Sequence, residues 1–102
     1  MVLIYTTCRD TKEAVKLGTL VLQEREAACV NIWPIQTIYH GDGGLRNELE
    51  AAMLIKTAEP RLGDIEALIE KNHSYSVPYV GAIDVRRFNR RYREWMTSVI
   101  KQ

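Results

Sequence analysis

Four side chains in this 102-residue chain carry the atoms that bind transition metals most readily, namely two imidazoles and two thiols. His40 lies in the stretch His40–Gly44, whose three glycines favour a hairpin turn over a preorganised metal site. His73 follows a predicted helix, where it could cap that helix or act as a ligand or pH-sensitive group. Cys8 stands alone near the end of a predicted strand, which favours a structural role, and Cys29 begins the next strand.

The motifs of common enzymes and nucleic-acid binders are absent. The chain has no Ser-His-Asp order, nucleotide-binding loop or paired-carboxylate motif, so we predict no enzymatic activity. Its formal net charge is +1, and the arginine-rich stretch 86–93 is interpreted as a solvated face. The third predicted strand, 49–57, lacks the aromatic residues with which RNA recognition modules stack on bases. We therefore expect no nucleic-acid partner.

Hydrophobic periodicity predicts the elements that position these side chains. Pro34 and Pro78 each remove a backbone donor, which indicates edge strands, the first of them interrupted at Trp33-Pro34. Asp10 and Glu13 have the spacing of a capping box at the start of the first helix. The predicted strands are 2–8, 28–39, 49–57 and 75–85. The first predicted helix runs from the Asp10 cap to about Glu26, the second from Pro60 to about Asn72, and the third along the apolar stripe 92–100.

This order predicts a single α+β domain over 1–102 with the ferredoxin-like split βαβ plan (βαββαβ plus a C-terminal helix) and an antiparallel sheet. Cys8 and Cys29 are then expected at opposite ends of the sheet, beyond disulfide reach. The strands around 29–33 and 51–55 carry apolar or small residues on both faces. Helices cover only one face, so we expect self-association to cover the other.

Composition places the chain among folded globular proteins, with 46% hydrophobic and 26% charged residues. It contains no apolar run near the ~18 residues that a membrane span needs, so no membrane partner is expected. The first residues lack a basic leader and a cleavage site, and two cysteines make no disulfide framework. We expect a cytoplasmic protein.

Four segments, in order along nearly the whole chain, carry a specific resemblance. They read A-A-C-V-N-I-W-P from Ala27, L-I-K-T from Leu54, H-S-Y-S-V-P from His73 and Y-R-E-W from Tyr92. Together they resemble the CutA divalent-cation-tolerance family. The resemblance implies a ferredoxin-like homotrimer that is not an enzyme and acts in divalent-cation tolerance. The resemblance implies no required cofactor, although it implies copper or another divalent cation as a possible ligand.

The resemblance also implies the site residues. Cys29 and His73 correspond to the metal-facing positions, and the neighbouring ligand cleft corresponds to Lys56, Thr57, Glu59 and Tyr75. The alternative function is that of a trimer similar to PII signalling proteins, with a small ligand or partner protein in the clefts between subunits.

Three positions depart from the pattern of the family. The turn His40–Gly44 replaces a tryptophan-containing turn, while Ser76 and Tyr79 stand where carboxylates are usual. Ser76 and Tyr79 each remove a hard oxygen ligand from the neighbourhood of His73.

Overall fold

Seven helices and strands follow one another in the order predicted by the sequence. The computed structural model describes all 102 residues, and its four strands form one antiparallel sheet in the order β2-β3-β1-β4. The elements are β1 (Val2–Cys8), α1 (Thr11–Gln23), β2 (Cys29–Gly41), β3 (Gly44–Thr57), α2 (Leu62–Asn72), β4 (Val80–Asp84) and α3 (Arg90–Val99). The predicted ferredoxin-like α+β plan with a C-terminal helix is confirmed. None of the helices is both long and apolar enough to cross a membrane.

One face of the sheet packs against α1 and α2 to form the core. Side chains of this face alternate with outward-pointing ones, as the buried and half-buried positions of β1 show. Fully burying a large aliphatic side chain contributes about 1.5–3 kcal/mol. The large core residues are Ile4, Met53 and Ile55 from the sheet, Leu17 and Val21 from α1, and Ile65 and Ile69 from α2.

The first helix begins as predicted and ends earlier than predicted. The Asp10 carboxylate accepts a hydrogen bond from the Glu13 N–H at 2.8 Å, which confirms the N-terminal cap. The predicted end near Glu26 is wrong, because Arg25 adopts a left-handed φ of 56° and the helix stops at Gln23. The N–H groups of Arg25 and Glu26 then bond back to the carbonyls of the last turn.

The β2–β3 hairpin is longer and more regular than predicted. Pro34 pairs with Ala51 inside a continuous strand, so the predicted interruption is wrong, although β2 is the predicted edge strand. β3 begins at Gly44 instead of at residue 49, because the two strands continue to pair as far as the turn. Gly43 and Gly44 have φ values of 85° and 136°, which other residues rarely adopt.

The outer part of this hairpin, residues 35–50, is a two-stranded arm. β1 ends at Cys8, opposite Ala51, so no third strand pairs with the arm beyond that point. Ile38, Leu45 and Leu49 project from it with 67%, 70% and 73% of their surface exposed. A two-stranded ribbon is marginally stable by itself, so the arm needs a surface to pack on.

The last strand and the second helix are both shorter than predicted. β4 covers Val80–Asp84 and not 75–85, because the backbone N–H groups of Ser74 and Tyr75 donate to side chains instead of to a neighbouring strand. It is an edge strand, as predicted. Pro60 lies in a 3-10 turn, and α2 begins at Leu62.

Candidate metal centre

A buried cluster of potential ligands lies where β1 ends and α1 begins. One ligand atom from each of Cys8, Glu13 and His73 lies within 4.8 Å of the other two. Cys8 is fully buried, Glu13 is 7% exposed, and the His73 side chain is fully buried. We call these three residues the His73 end of the sheet.

Two backbone groups fix the orientation of the His73 ring. Nδ1 accepts a hydrogen bond from the Tyr75 N–H at 3.0 Å, and Nε2 lies 2.8 Å from the Thr7 carbonyl oxygen. A neutral imidazole that accepts at Nδ1 carries its proton on Nε2, which therefore donates to Thr7. The His73 side chain thus bonds to β1 and not to the last carbonyls of α2, although its backbone N–H does cap that helix.

Glu13 bridges the two segments that hold the cluster. Its carboxylate accepts from the backbone N–H of Arg9 at 2.9 Å and from that of Ser74 at 2.9 Å, and it lies 3.9 Å from His73 Nδ1. Burial opposes ionisation, but the hydrogen bonds from Ser74 and Arg9 and the nearby His73 outweigh it and lower the pKa of Glu13. Glu13 is therefore a carboxylate at neutral pH.

Cys8 is held as a neutral thiol. Burial, followed by the negative charges of Glu13, Glu50 and Asp10, raises the pKa of Cys8 to about 12. A thiol in this state is a poor nucleophile.

An open cleft of about 830 Å³ borders this end of the sheet. Tyr75 and Glu50 line it, and the Tyr75 hydroxyl donates a hydrogen bond to the Glu50 carboxylate. Burial and this carboxylate raise the pKa of Tyr75 above its usual range. The Tyr75 ring also lies 4.8 Å from the His73 ring, so the structure brings these two predicted site residues together.

Cys29 occupies the other end of the sheet. It pairs with Lys56, and Lys56 pairs with Leu3 near the start of β1. Burial, followed by the nearby Cys29 thiol, raises the pKa of Tyr92. Lys56 Nζ lies 5.5 Å from the centre of the Tyr92 ring. We call this region, together with the buried Glu26, the Cys29 end.

The sheet register separates the two predicted metal-facing residues within one chain. On β1, Leu3 lies in the same row of the sheet as Cys29, and Thr7 bonds to the His73 ring. These two positions are four residues apart, which corresponds to about 13 Å along a strand. Cys8 and Cys29 are also at opposite ends, as predicted, and both are free thiols.

The remaining predicted cleft residues also lie at the Cys29 end, away from the cleft beside Tyr75. Thr57 is buried and donates to the Glu26 carbonyl at 2.6 Å, while Glu59 is exposed in the 3-10 turn. Only Tyr75 of the four borders the open cleft within this chain.

Sequence reasoning missed Glu13 as a neighbour of His73. The capping-box spacing placed Glu13 at the start of α1. The position of Cys8, two residues before the Asp10 cap, could have predicted that Glu13 lies near Cys8. Because β1 ends at Cys8 and α1 begins three residues later, Cys8 and the Glu13 carboxylate in the first helical turn lie close together. The approach of His73 depends on the tertiary fold and has no local signal.

The fold and this cluster define a small α+β protein with a buried thiol, imidazole and carboxylate suited to borderline metal ions. The model of the CutA1 divalent ion tolerance protein family matches residues 2–99, and the chain belongs to this family.

Named relatives match over almost the entire chain. The divalent-cation tolerance protein CutA of Archaeoglobus fulgidus is 29% identical over 98 residues, 96% of each chain. That of Pyrococcus horikoshii is 30% identical over 102 residues and covers 100% of both chains. The crystal structure of CutA1 from Pyrococcus horikoshii superposes over 100% of both chains with a TM-score of 0.97. Compartments differ among relatives, since the rice protein is described as chloroplastic and the Archaeoglobus structure as periplasmic.

Proposed function

We propose that this protein is a homotrimer that supports tolerance to divalent cations by binding copper directly, without catalysing a reaction. Cys29 and His73 are the proposed metal contacts, and Tyr75 lines the open cleft and packs against the His73 ring. Cys29 and His73 lie at opposite ends of one subunit. We therefore propose that each residue contacts copper at its own end of the sheet.

The observation that supports metal binding most strongly is the environment of His73. The Thr7 carbonyl fixes the proton on Nε2, so Nδ1 is the acceptor nitrogen. Nδ1 accepts from the Tyr75 N–H and lies 3.9 Å from a carboxylate oxygen of Glu13. Metal-binding histidines usually donate their second ring N–H to a carbonyl or carboxylate in this way. Imidazole is also a good copper ligand.

The exposed arm supports assembly. Ile38, Leu45 and Leu49 lie on the two-stranded arm, and a second copy of the chain is the simplest surface to cover them. The resemblance to the CutA family implies three copies, and we propose this number for the closed arrangement.

The state of the thiols supports a role without catalysis in a reducing compartment, which we propose to be the cytoplasm. Cys8 is buried and protonated, so it lacks the properties of a catalytic nucleophile. Cys29 cannot reach it to form a disulfide, and both cysteines are free.

Native mass spectrometry with and without copper tests this proposal. We expect a trimer that retains at least one copper per subunit, and we expect Cys29→Ala and His73→Ala each to retain less copper than the wild type. A trimer that retains no copper would refute direct binding, and a monomer would refute the assembly. Circular dichroism of each variant checks that a lost metal does not reflect a lost fold.

A further inference from the structure

We propose that Cys8, Glu13 and His73 together form a site within each subunit for a thiophilic divalent cation such as zinc or cadmium. This inference rests on the proposed metal function and specifies its ligands and cation class. It makes Cys8 the thiol that binds the metal alongside His73, at a distance from Cys29.

The three ligand types favour this class of cation. Thiolate, imidazole and carboxylate are all zinc ligands, and a site with three protein ligands leaves a fourth position for water. Calcium and magnesium prefer sites made of oxygen atoms only, so one nitrogen and one sulfur ligand select against them.

Groups around the cluster already hold two of the ligands in place. The Thr7 carbonyl accepts the Nε2 proton of His73, and the Arg9 and Ser74 N–H groups hold the Glu13 carboxylate. The Thr7 carbonyl orients the imidazole and raises its basicity, and the two N–H groups orient the carboxylate, so these outer partners point to a built site. The carboxylate keeps lone pairs free, since each of its oxygens can accept more than one bond.

Binding requires a small contraction of the cluster. Zinc bond lengths in tetrahedral geometry place ligand atoms about 3.5 Å apart, whereas these atoms lie within 4.8 Å of one another. The segment that must move, residues 75–79, has no helix or strand structure. The hydrogen bond from the Tyr75 N–H to His73 Nδ1 would break, and the lone pair of Nδ1 would bind the cation instead.

The binding step exchanges a proton for the metal. The S–H bond of Cys8 breaks, its proton passes to the buffer, and the sulfur electron pair forms the bond to the cation. The net charge of Cys8 thiolate, Glu13 carboxylate and a divalent cation is then zero, which suits a buried position.

Cadmium titration followed by ultraviolet absorption tests the site, because a cadmium–thiolate bond produces a charge-transfer band that imidazole and carboxylate do not. The chain has only two cysteines, so two variants assign the band. We expect the band in wild type and in Cys29→Ala, at one cadmium per chain, and its loss in Cys8→Ala. A band that persists in Cys8→Ala and disappears in Cys29→Ala would overturn the proposal, as would a wild type without a band.

Glu13→Gln gives a second test that keeps the thiol. Because loss of an outer partner alone weakens metal binding about 10–100-fold, loss of this ligand is expected to weaken cadmium binding by at least about tenfold with the band retained. An unchanged affinity would exclude Glu13 as a ligand. An excess of calcium or magnesium is expected to leave the band unchanged, and competition by either would contradict the cation class.

The outcome is independent of the copper and assembly measurements. Loss of the cadmium band in Cys8→Ala could occur with or without copper retention at Cys29, and in a trimer or a monomer. Failure of either proposal is therefore visible while the other stands.

Discussion

The two ends of the sheet both contain a cysteine, but they differ in how the fold uses it. At the His73 end, Cys8 is fully buried beside a carboxylate and an imidazole that are each held by backbone groups. At the Cys29 end, the thiol is half-buried and borders an aromatic ring and a lysine. A candidate metal ligand is therefore identified by its neighbours and not by its residue type alone.

Thiol labelling should separate the two ends most strongly. In the native protein we expect Cys29 to react with a disulfide reagent at least ~100-fold faster than Cys8, because Cys8 is buried and reacts only after local opening. Counting reacted thiols with time, with Cys29→Ala as the matched variant, measures the ratio. Equal rates in the two single-cysteine variants would contradict the buried state of Cys8.

Removal of the Glu13 carboxylate should have the largest effect on stability. Glu13→Ala leaves the Arg9 and Ser74 N–H groups without acceptors, and we expect a loss of about 2–4 kcal/mol. Urea unfolding at a fixed protein concentration measures it. Thr11→Ala, an exposed substitution in the same helical turn, serves as the control. A loss below about 1 kcal/mol for Glu13→Ala would show that the carboxylate does not join these segments.

Alkaline pH should distinguish the two cysteines. The pKa of Cys8 is raised from 9.0 to about 12 in the folded state, so the unfolded state releases the thiol proton first. The stability that this provides is complete below pH 9 and declines as the pH rises toward 12. We expect Cys8→Ala to show a shallower decline than Cys29→Ala in unfolding measured above pH 9. Equal slopes in the two variants would refute the assignment.

The smallest effect should come from the Cys29 end. Glu26 is 3% exposed and forms ion pairs with Lys101 and with Arg61, the latter at 3.7 Å. Lys101→Met should cost about 1 kcal/mol, because the lysine is 40% exposed and water screens its charge. Thermal unfolding beside the exposed control Lys12→Met measures this difference. A cost comparable to that of Glu13→Ala would contradict the ranking of the two ends.

Local patterns predicted the elements and their order because they depend on periodicity and capping. Asp10 marked the start of α1, and the strand β1 was predicted with its observed bounds. The end of α1 was missed because Arg25 adopts a left-handed conformation that usually falls to glycine. The length of β4 was missed because side chains accept from the backbone N–H groups of Ser74 and Tyr75, and one of these acceptors, Glu13, is 61 residues away in the sequence.

The candidate site was predicted only in part for the same reason. His73 was a candidate ligand from the residues themselves and Tyr75 came from the resemblance, and the two rings lie together in the structure. The neighbours of His73 are set by the junction of β1 with α1, and no spacing in the sequence relates residue 73 to residues 8 and 13. Only the folded chain shows that a thiol and a carboxylate approach this imidazole.

A crystal structure of the zinc-loaded protein, with anomalous diffraction at the zinc absorption edge, tests the central claim most directly. We expect a single strong anomalous peak per subunit among Cys8 Sγ, Glu13 and His73 Nδ1, with the Tyr75 N–H turned away from the ring. A peak at Cys29 with none near His73, or no peak at all in protein loaded with zinc, would contradict it.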